Sequence, residues 1–223
     1  MPTTGVLAIW ADCNPGDEAL FEQWYQLEHL PERLAVPGFL RGRRYEAIDS
    51  TPRYLTCYHA NETAVFRSPA YLLRLNDPTP LTHRIMSDVV ANLSRTICEC
   101  ETGGGLASGA YALTVALEGD ATERRIKTRV AKAHLDRLLP THSGLARYEV
   151  WLADKASEAD ETAPLSAEQA LRGRDKTITG CVFIETLREA DAWDLRATLN
   201  EAFGSSSQRS TVYRLLCDIR ADQ

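Results

Sequence analysis

Glu101-Thr102-Gly103-Gly104-Gly105-Leu106-Ala107-Ser108-Gly109 stands near the middle of a 223-residue chain, and the two halves flanking it read alike. Four glycines in nine residues give this stretch the composition of a flexible linker. A phosphate-cradling glycine loop is the competing reading. It would need a Lys-Ser/Thr ending and a helix start, and neither follows.

Upstream, Val6-Leu7-Ala8-Ile9-Trp10 reads as a buried strand, and Asn14-Pro15-Gly16-Asp17 as a turn whose Asn14 or Asp17 caps the next helix. Leu20, Trp24, Leu27 and Leu34 recur at helical spacing, and Pro37-Gly38 stops the helix. Residues 39–48 and 54–59 read as strands joined by Asp49-Ser50-Thr51-Pro52. A second helix is expected over 62–74; it is broken by Asp77-Pro78-Thr79-Pro80, resumes through His83 to Met86, and a strand follows at 93–100.

Downstream, the order recurs. Residues 111–117 read as a strand, 121–139 as a helix, 145–152 and 180–186 as strands, 189–203 as a helix and 211–219 as the last strand. A polar insertion, 153–176, separates the middle two strands and holds a short helical pattern at 167–171. Arg44-Tyr45-Glu46 after Pro37-Gly38 is echoed by Arg147-Tyr148-Glu149 after Ser143-Gly144, which reads as equivalent positions in two repeats. The fold expected is therefore α+β: two tandem ferredoxin-like βαββαβ units, 1–100 and 110–223, joined by a linker at 101–109. Each four-stranded antiparallel sheet has its helices on one face, and its other face must be covered. The sheets can pair within one chain into an α+β barrel or across a homodimer, and either arrangement creates concave space for a ligand.

Hydrophobic residues make up 44% and charged residues 25% of the chain, as in ordinary globular proteins. A net charge of −6 without a basic stripe argues against nucleic acid as a partner. No apolar run is long enough for a membrane span, and the start lacks the basic residues of a signal peptide. Six scattered cysteines, mostly inside apolar strand patterns, fit reduced thiols in the cytoplasm. Cys98 and Cys100 share a strand face but have no second ligand pair nearby in sequence, so no metal site is expected.

Trp24-Tyr25-Gln26-Leu27-Glu28-His29-Leu30-Pro31-Glu32-Arg33, followed by Pro37-Gly38-Phe39 and Arg43-Arg44-Tyr45, resembles the dimeric α+β barrel superfamily, particularly its EthD-like branch. Ser68-Pro69-Ala70-Tyr71 and Pro78-Thr79-Pro80-Leu81-Thr82 extend the resemblance, which covers residues 6–100. The second unit has Ala133-His134-Leu135-Asp136 where the first has Glu28-His29-Leu30-Pro31. The superfamily includes cofactor-free monooxygenases, muconolactone-type isomerases, polyketide cyclases and haem enzymes, so the resemblance implies a fold and a range of chemistries.

Among candidate residues, His29 leads, because an imidazole works as acid or base near neutral pH. On a regular helix it would point roughly 180° away from the Leu20/Trp24/Leu27 stripe, but Pro31 disturbs that turn. Tyr45 is its expected catalytic partner, polarising a substrate carbonyl. Trp24, Arg44, Tyr58, His59 and His83 are expected substrate contacts: Trp24 as a wall, Arg44 for a carboxylate, Tyr58 and His59 from opposite faces of one strand, and His83 at the mouth. The leading expectation is a cofactor-independent isomerase, dehydratase, cyclase or monooxygenase-like enzyme acting on a small, largely apolar carbonyl metabolite. The alternatives are a non-catalytic ligand-binding or stress-response barrel, and a haem enzyme of the same fold.

Overall fold

The computed structural model describes residues 4–155, 164–203 and 209–221. The elements are β1 (Gly5–Cys13), α1 (Glu18–Trp24), a π-helical turn (Tyr25–His29), α2 (Leu30–Leu34), β2 (Phe39–Ala47), β3 (Tyr54–Ala60), a 3-10 turn (Thr63–Arg67), α3 (Pro69–Asn76), α4 (Pro80–Arg84), a second π-helical turn (Ile85–Val89) and β4 (Val90–Gly104). Then come β5 (Tyr111–Ala116), α5 (Ala121–Leu138), β6 (Leu145–Ala153), α6 (Ala167–Arg172), β7 (Gly180–Thr186), α7 (Glu189–Ala202) and β8 (Ser210–Arg220). Of the insertion at 153–176, residues 156–163 lie outside the described residues.

The eight strands close into one antiparallel barrel in the order β1-β3-β2-β8-β5-β7-β6-β4. Each half contributes four strands in ferredoxin-like order, β4-β1-β3-β2 and β8-β5-β7-β6, and two seams join them. One seam pairs β2 with β8 (Arg44 opposite Cys217), and the other pairs β4 with β6 (Cys98 opposite Ala153). The barrel forms within a single chain.

Strands with both faces covered read as continuous apolar runs, and β1 is such a strand. Val6, Ala8 and Trp10 point into the barrel, while Leu7 and Ile9 face the first helix layer. The barrel core is shared: Trp10, Tyr45 and Leu55 come from the first half, Trp151, Phe183 and Tyr213 from the second. Trp151 stacks on Phe183 at 4.6 Å, and Trp10 Nε1 donates to Tyr213 Oη at 3.1 Å. The two helix layers differ in character. The first is aromatic and holds buried charges, whereas the second, under α5 and α7, is packed mainly by Leu, Val, Ile and Ala.

Four local expectations are corrected. The segment read as a flexible linker continues β4 through Gly104, with Thr102, Gly103 and Gly104 opposite Val150, Glu149 and Tyr148. Its glycines serve close approach: a Cβ at Gly103 would lie 2.8 Å from the Tyr148 carbonyl oxygen, and one at Gly104 would lie 2.9 Å from the Tyr148 ring. The expected 62–74 helix is split by Ser68-Pro69, because proline holds Ser68 extended (ψ 151°); Ser68 then caps α3 by accepting from Tyr71 N at 3.2 Å. Neither Asn14 nor Asp17 caps α1 through its side chain; Asn14 instead donates to the Asp88 carbonyl at 2.7 Å. Finally, the Arg-Tyr-Glu echo is out of phase. Tyr45 lies seven residues after Gly38 and points into the barrel, while Tyr148 lies four after Gly144 and points into the second helix layer. Strand faces alternate with period two, so an odd difference in spacing reverses them. Trp151, not Tyr148, occupies the place equivalent to Tyr45.

Candidate functional site

The π-helical turn decides where His29 points. A π turn closes five residues later instead of four, and here Leu30 N donates to Tyr25 O. Residues five apart therefore share a face, and the His29 ring lies over Trp24 at 4.2 Å and edge-on to Tyr25 at 5.3 Å. His29 is 4% exposed, while Leu27, expected on the buried stripe, is turned out to 72% exposure.

His29 borders a small, partly enclosed cavity of about 20 Å³ between the sheet and the first helix layer, room for roughly one water molecule. Leu7, Ile9 and Tyr58 form its sheet side, and Tyr25, His29, Arg33 and Tyr71 its helix side. Arg95 from β4 and Glu168 and Arg172 from α6 complete it. The last two come from the insertion in the second half.

The cavity is rich in donors. Arg33 pairs through Nη2 with Glu168, Arg172 with Asp175, and Arg95 donates to Tyr71 Oη at 3.0 Å with Asp175 at 3.7 Å. Yet His29 Nδ1, Arg33 Nη1, Arg172 Nε and Tyr58 Oη are buried without a hydrogen-bond partner. Beyond Tyr25, Arg44 is buried with its guanidinium 4.2 Å from the Tyr25 ring centroid, 4.9 Å from Tyr54 and 5.1 Å from Phe21. Its Nε and Nη2 also lack partners. Glu46, two residues along β2, pairs with Arg53 and Arg214 rather than with Arg44.

Burial holds His29 well below the ordinary imidazole value, and Arg33, Arg172 and Arg44 add to the effect, so the ring is a neutral base at pH 7. Burial raises the Tyr25 and Tyr58 phenols, which stay protonated as donors. Glu168 is pushed up by burial against the opposing pull of Arg33.

The other expected site residues are distributed over three places. Trp24 and Tyr58 join His29; Trp24 also donates through Nε1 to Thr82 Oγ1 at 2.9 Å, and Thr82 in turn donates to Glu28 at 2.8 Å. Tyr45 does not join them, because its side of β2 faces the barrel, where its hydroxyl donates to Glu185 at 3.3 Å. His59 shares that interior. Burial and the nearby Arg43 and Arg147 keep its ring neutral, so Nε2–H donates to Glu149 Oε2 at 2.9 Å, beside the Trp151 Nε1 bond to the same oxygen at 2.7 Å. Arg43 pairs with Glu185 at 2.5 Å and Arg147 with Glu149, so the charges around His59 are paired. His83 is exposed on α4 and borders neither the His29 cavity nor the opening at the barrel mouth.

Sequence reasoning missed Arg33, Arg95, Glu168 and Arg172. Arg33 carried a usable signal, four residues after His29 and so on the same helix face. Glu168 and Arg172 carried none, since an insertion 135 residues away brings Glu168 to Arg33.

At one mouth of the barrel lies a larger opening of 370 Å³, bordered by Trp10, Tyr213, Thr114, Cys181, Lys176 and Arg209. Its size suits a ligand. It holds no poised base: burial pushes the Cys181 thiol far up, and Arg209 pairs with Glu118 at 3.0 Å. Among the described residues no cluster of His, Cys, Asp or Glu could hold a metal ion, and no helix is long and apolar enough to cross a membrane.

No family model matches the sequence, and no curated protein matches it. Solved structures do match. An anthrone oxidase-like protein is 10% identical with TM-score 0.62, covering 100% of this chain and 95% of its own. A protein from Lactobacillus acidophilus NCFM that is proposed to be a monooxygenase is 8% identical with TM-score 0.57, over 99% and 100% of the two chains. Chlorite dismutase from Candidatus Nitrospira defluvii, in complex with imidazole, is 13% identical with TM-score 0.53, over 95% and 91%. At such identities the likeness speaks for backbone alone, and the closed eight-stranded antiparallel barrel flanked by helices accounts for it: the chain shares the α+β barrel fold of these structures.

Proposed function

We propose that the chain is a cofactor-independent enzyme of the EthD-like branch that moves a proton on a small carbonyl substrate, with His29 as the acid/base group. The observation that carries this reading is a neutral, buried imidazole held over Trp24, facing a cavity with the unpartnered Tyr58 hydroxyl. His29 takes a proton from the carbon next to the carbonyl, and the electron pair moves onto the carbonyl oxygen. Tyr58 Oη and Arg33 Nη1 donate to that oxygen as its charge grows. The imidazolium then returns the proton to another carbon, giving an isomer, or to a departing hydroxyl, giving dehydration. Neither outcome consumes an oxidant. The six free cysteines suit a reducing compartment, and we place the enzyme in the cytoplasm.

Haem does not fit at either of the two buried histidines, His29 and His59. The space at His29 is 20 Å³, and even withdrawal of Glu168 and Arg172 would free only the volume of two side chains, while His59 is locked between Glu149 and the Trp151 ring. The 370 Å³ barrel mouth is the observation that favours the second reading, a non-catalytic binding protein.

The test is deuterium exchange from D2O into a panel of small ketones and oxo acids, followed by NMR. His29→Gln should slow exchange by about 10²–10⁴-fold, the usual weight of a general base. Full exchange activity in His29→Gln would overturn the assignment. Ligand quenching of Trp10 fluorescence without any exchange in the wild type would favour the binding reading.

A further inference from the structure

We propose that the His29 cavity takes a short-chain carboxylic acid, such as an oxo acid, whose carboxylate binds Arg33 in the place that Glu168 fills when the site is closed. This rests on the proton-transfer reading above and names its substrate class.

Glu168 is an unusual occupant. It is 3% exposed, it faces an arginine that is 2% exposed, and it arrives on a six-residue helix belonging to the other half of the chain. A buried ion pair seldom adds net stability over apolar packing, so stability alone does not account for it. Besides this pair, α6 is tied to Asp175, which accepts from Gln169 Nε2 at 3.0 Å and pairs with Arg172. Six residues cannot sustain a helix alone; α6 is otherwise kept by its Ser166–Gln169 capping box, by Ala167 N donating to Asn76 Oδ1 at 3.1 Å, and by Leu171 against the first core.

The guanidinium of Arg33 is only half used. Nη2 meets Glu168 while Nη1 has no partner, whereas a carboxylate presented squarely would engage both edges of the fork. Around the same space stand Arg95 and Arg172, with Glu168 and Asp175 as the carboxylates, and Arg44 lies just beyond Tyr25. With Glu168 withdrawn, Arg33, Arg95 and Arg172 border the cavity, and Asp175 is the carboxylate that remains beside them. Unpartnered donors outnumber acceptors, and that is the chemistry of an anion site. His29 and Arg33 are one helical turn apart, about 5–6 Å between Cβ atoms. A carboxylate held by Arg33 therefore sets a nearby carbon of a short chain against the imidazole. This lining shifts the expected substrate from an apolar metabolite to an acid.

Binding of acetoacetate, its methyl ester and inorganic phosphate, measured by calorimetry, tests the proposal on the full chain. Acetoacetate should bind, while the ester and phosphate should not. Glu168→Gln removes the competing carboxylate and should tighten acetoacetate by about tenfold, as expected when a closed state limits apparent affinity. Arg33→Lys keeps the charge but loses the fork and should weaken binding. In the wild type, which needs no variant to fold, acetoacetate should speed amide exchange across Ala167–Arg172. The proposal is overturned if the ester or phosphate binds as well as the acid, if Glu168→Gln leaves affinity unchanged or lowers it, or if α6 amides become more protected. His29→Gln separates the two ideas: acid binding kept with proton exchange lost supports both, and exchange kept with Arg33-dependent binding sinks only the role of His29.

Discussion

His29 and His59 lie on opposite faces of the same sheet, and both are buried beside arginines that hold them neutral. Their common electrostatics has a thermodynamic consequence. Below pH 6.5 the unfolded chain takes up protons on these imidazoles while the native state, with its lowered values, does not. The unfolded state then binds more protons, so stability falls as pH drops from 6.5, by up to about 1.4 kcal/mol per pH unit for each histidine. Glu168 works in the opposite sense, since its raised value lets the native state take a proton before the unfolded state does, on the way down to 4.5. The comparison that isolates the imidazole is therefore wild type against His29→Gln, by urea unfolding at pH 7.5, 6.5 and 5.5. The wild type should lose more stability across that range than the variant. Parallel slopes would mean that His29 titrates normally and is not the neutral base described here.

At the scale of elements, what could be read from the chain depended on whether the cause was local. Gly180–Thr186 was legible to the residue, because a short β-rich apolar run between turn residues has few other readings. The Gly103-Gly104-Gly105 run was legible as glycine but not as strand. The reason for the glycines is a partner 40 or so residues away, Tyr148 on β6, and nothing in the composition distinguishes freedom from close approach. The inward turn of His29 was hidden for a similar reason, since the π turn that swings it leaves only Pro31 as a trace. Gly105 tests the difference. It sits at φ +88°, and a Cβ there would collide with the Ala146 carbonyl oxygen and the Arg147 backbone. Gly105→Ala should cost about 1–3 kcal/mol, the scale of forcing a non-glycine residue into that region. A flexible linker would accept alanine at no cost, so an unchanged urea midpoint would restore the linker reading.

Over the whole molecule, the barrel makes the two halves interdependent in a way that their separate helix layers conceal. The first layer already takes Leu171 and Ile219 from the second half, and the core between the sheets belongs to neither half. Tyr45 from the first half meets Phe183 from the second at 5.7 Å, and Trp10 bonds Tyr213 across the same interior. Exposing one inner sheet face strips the cover from the other and opens both seams, β2 with β8 and β4 with β6. The halves should therefore unfold together. Trp24, buried in the first layer, and Trp193, packed against the second, report on them separately once the remaining tryptophans are replaced by phenylalanine. Urea titrations of the two single-tryptophan chains should agree in midpoint when corrected for the cost of the replacements. Gly105→Ala, which strikes the β4–β6 seam, should shift both reporters by the same amount. If the Trp24 signal moved while Trp193 stayed in place, the halves would be independent domains in contact, and the barrel core would contribute little to holding them together.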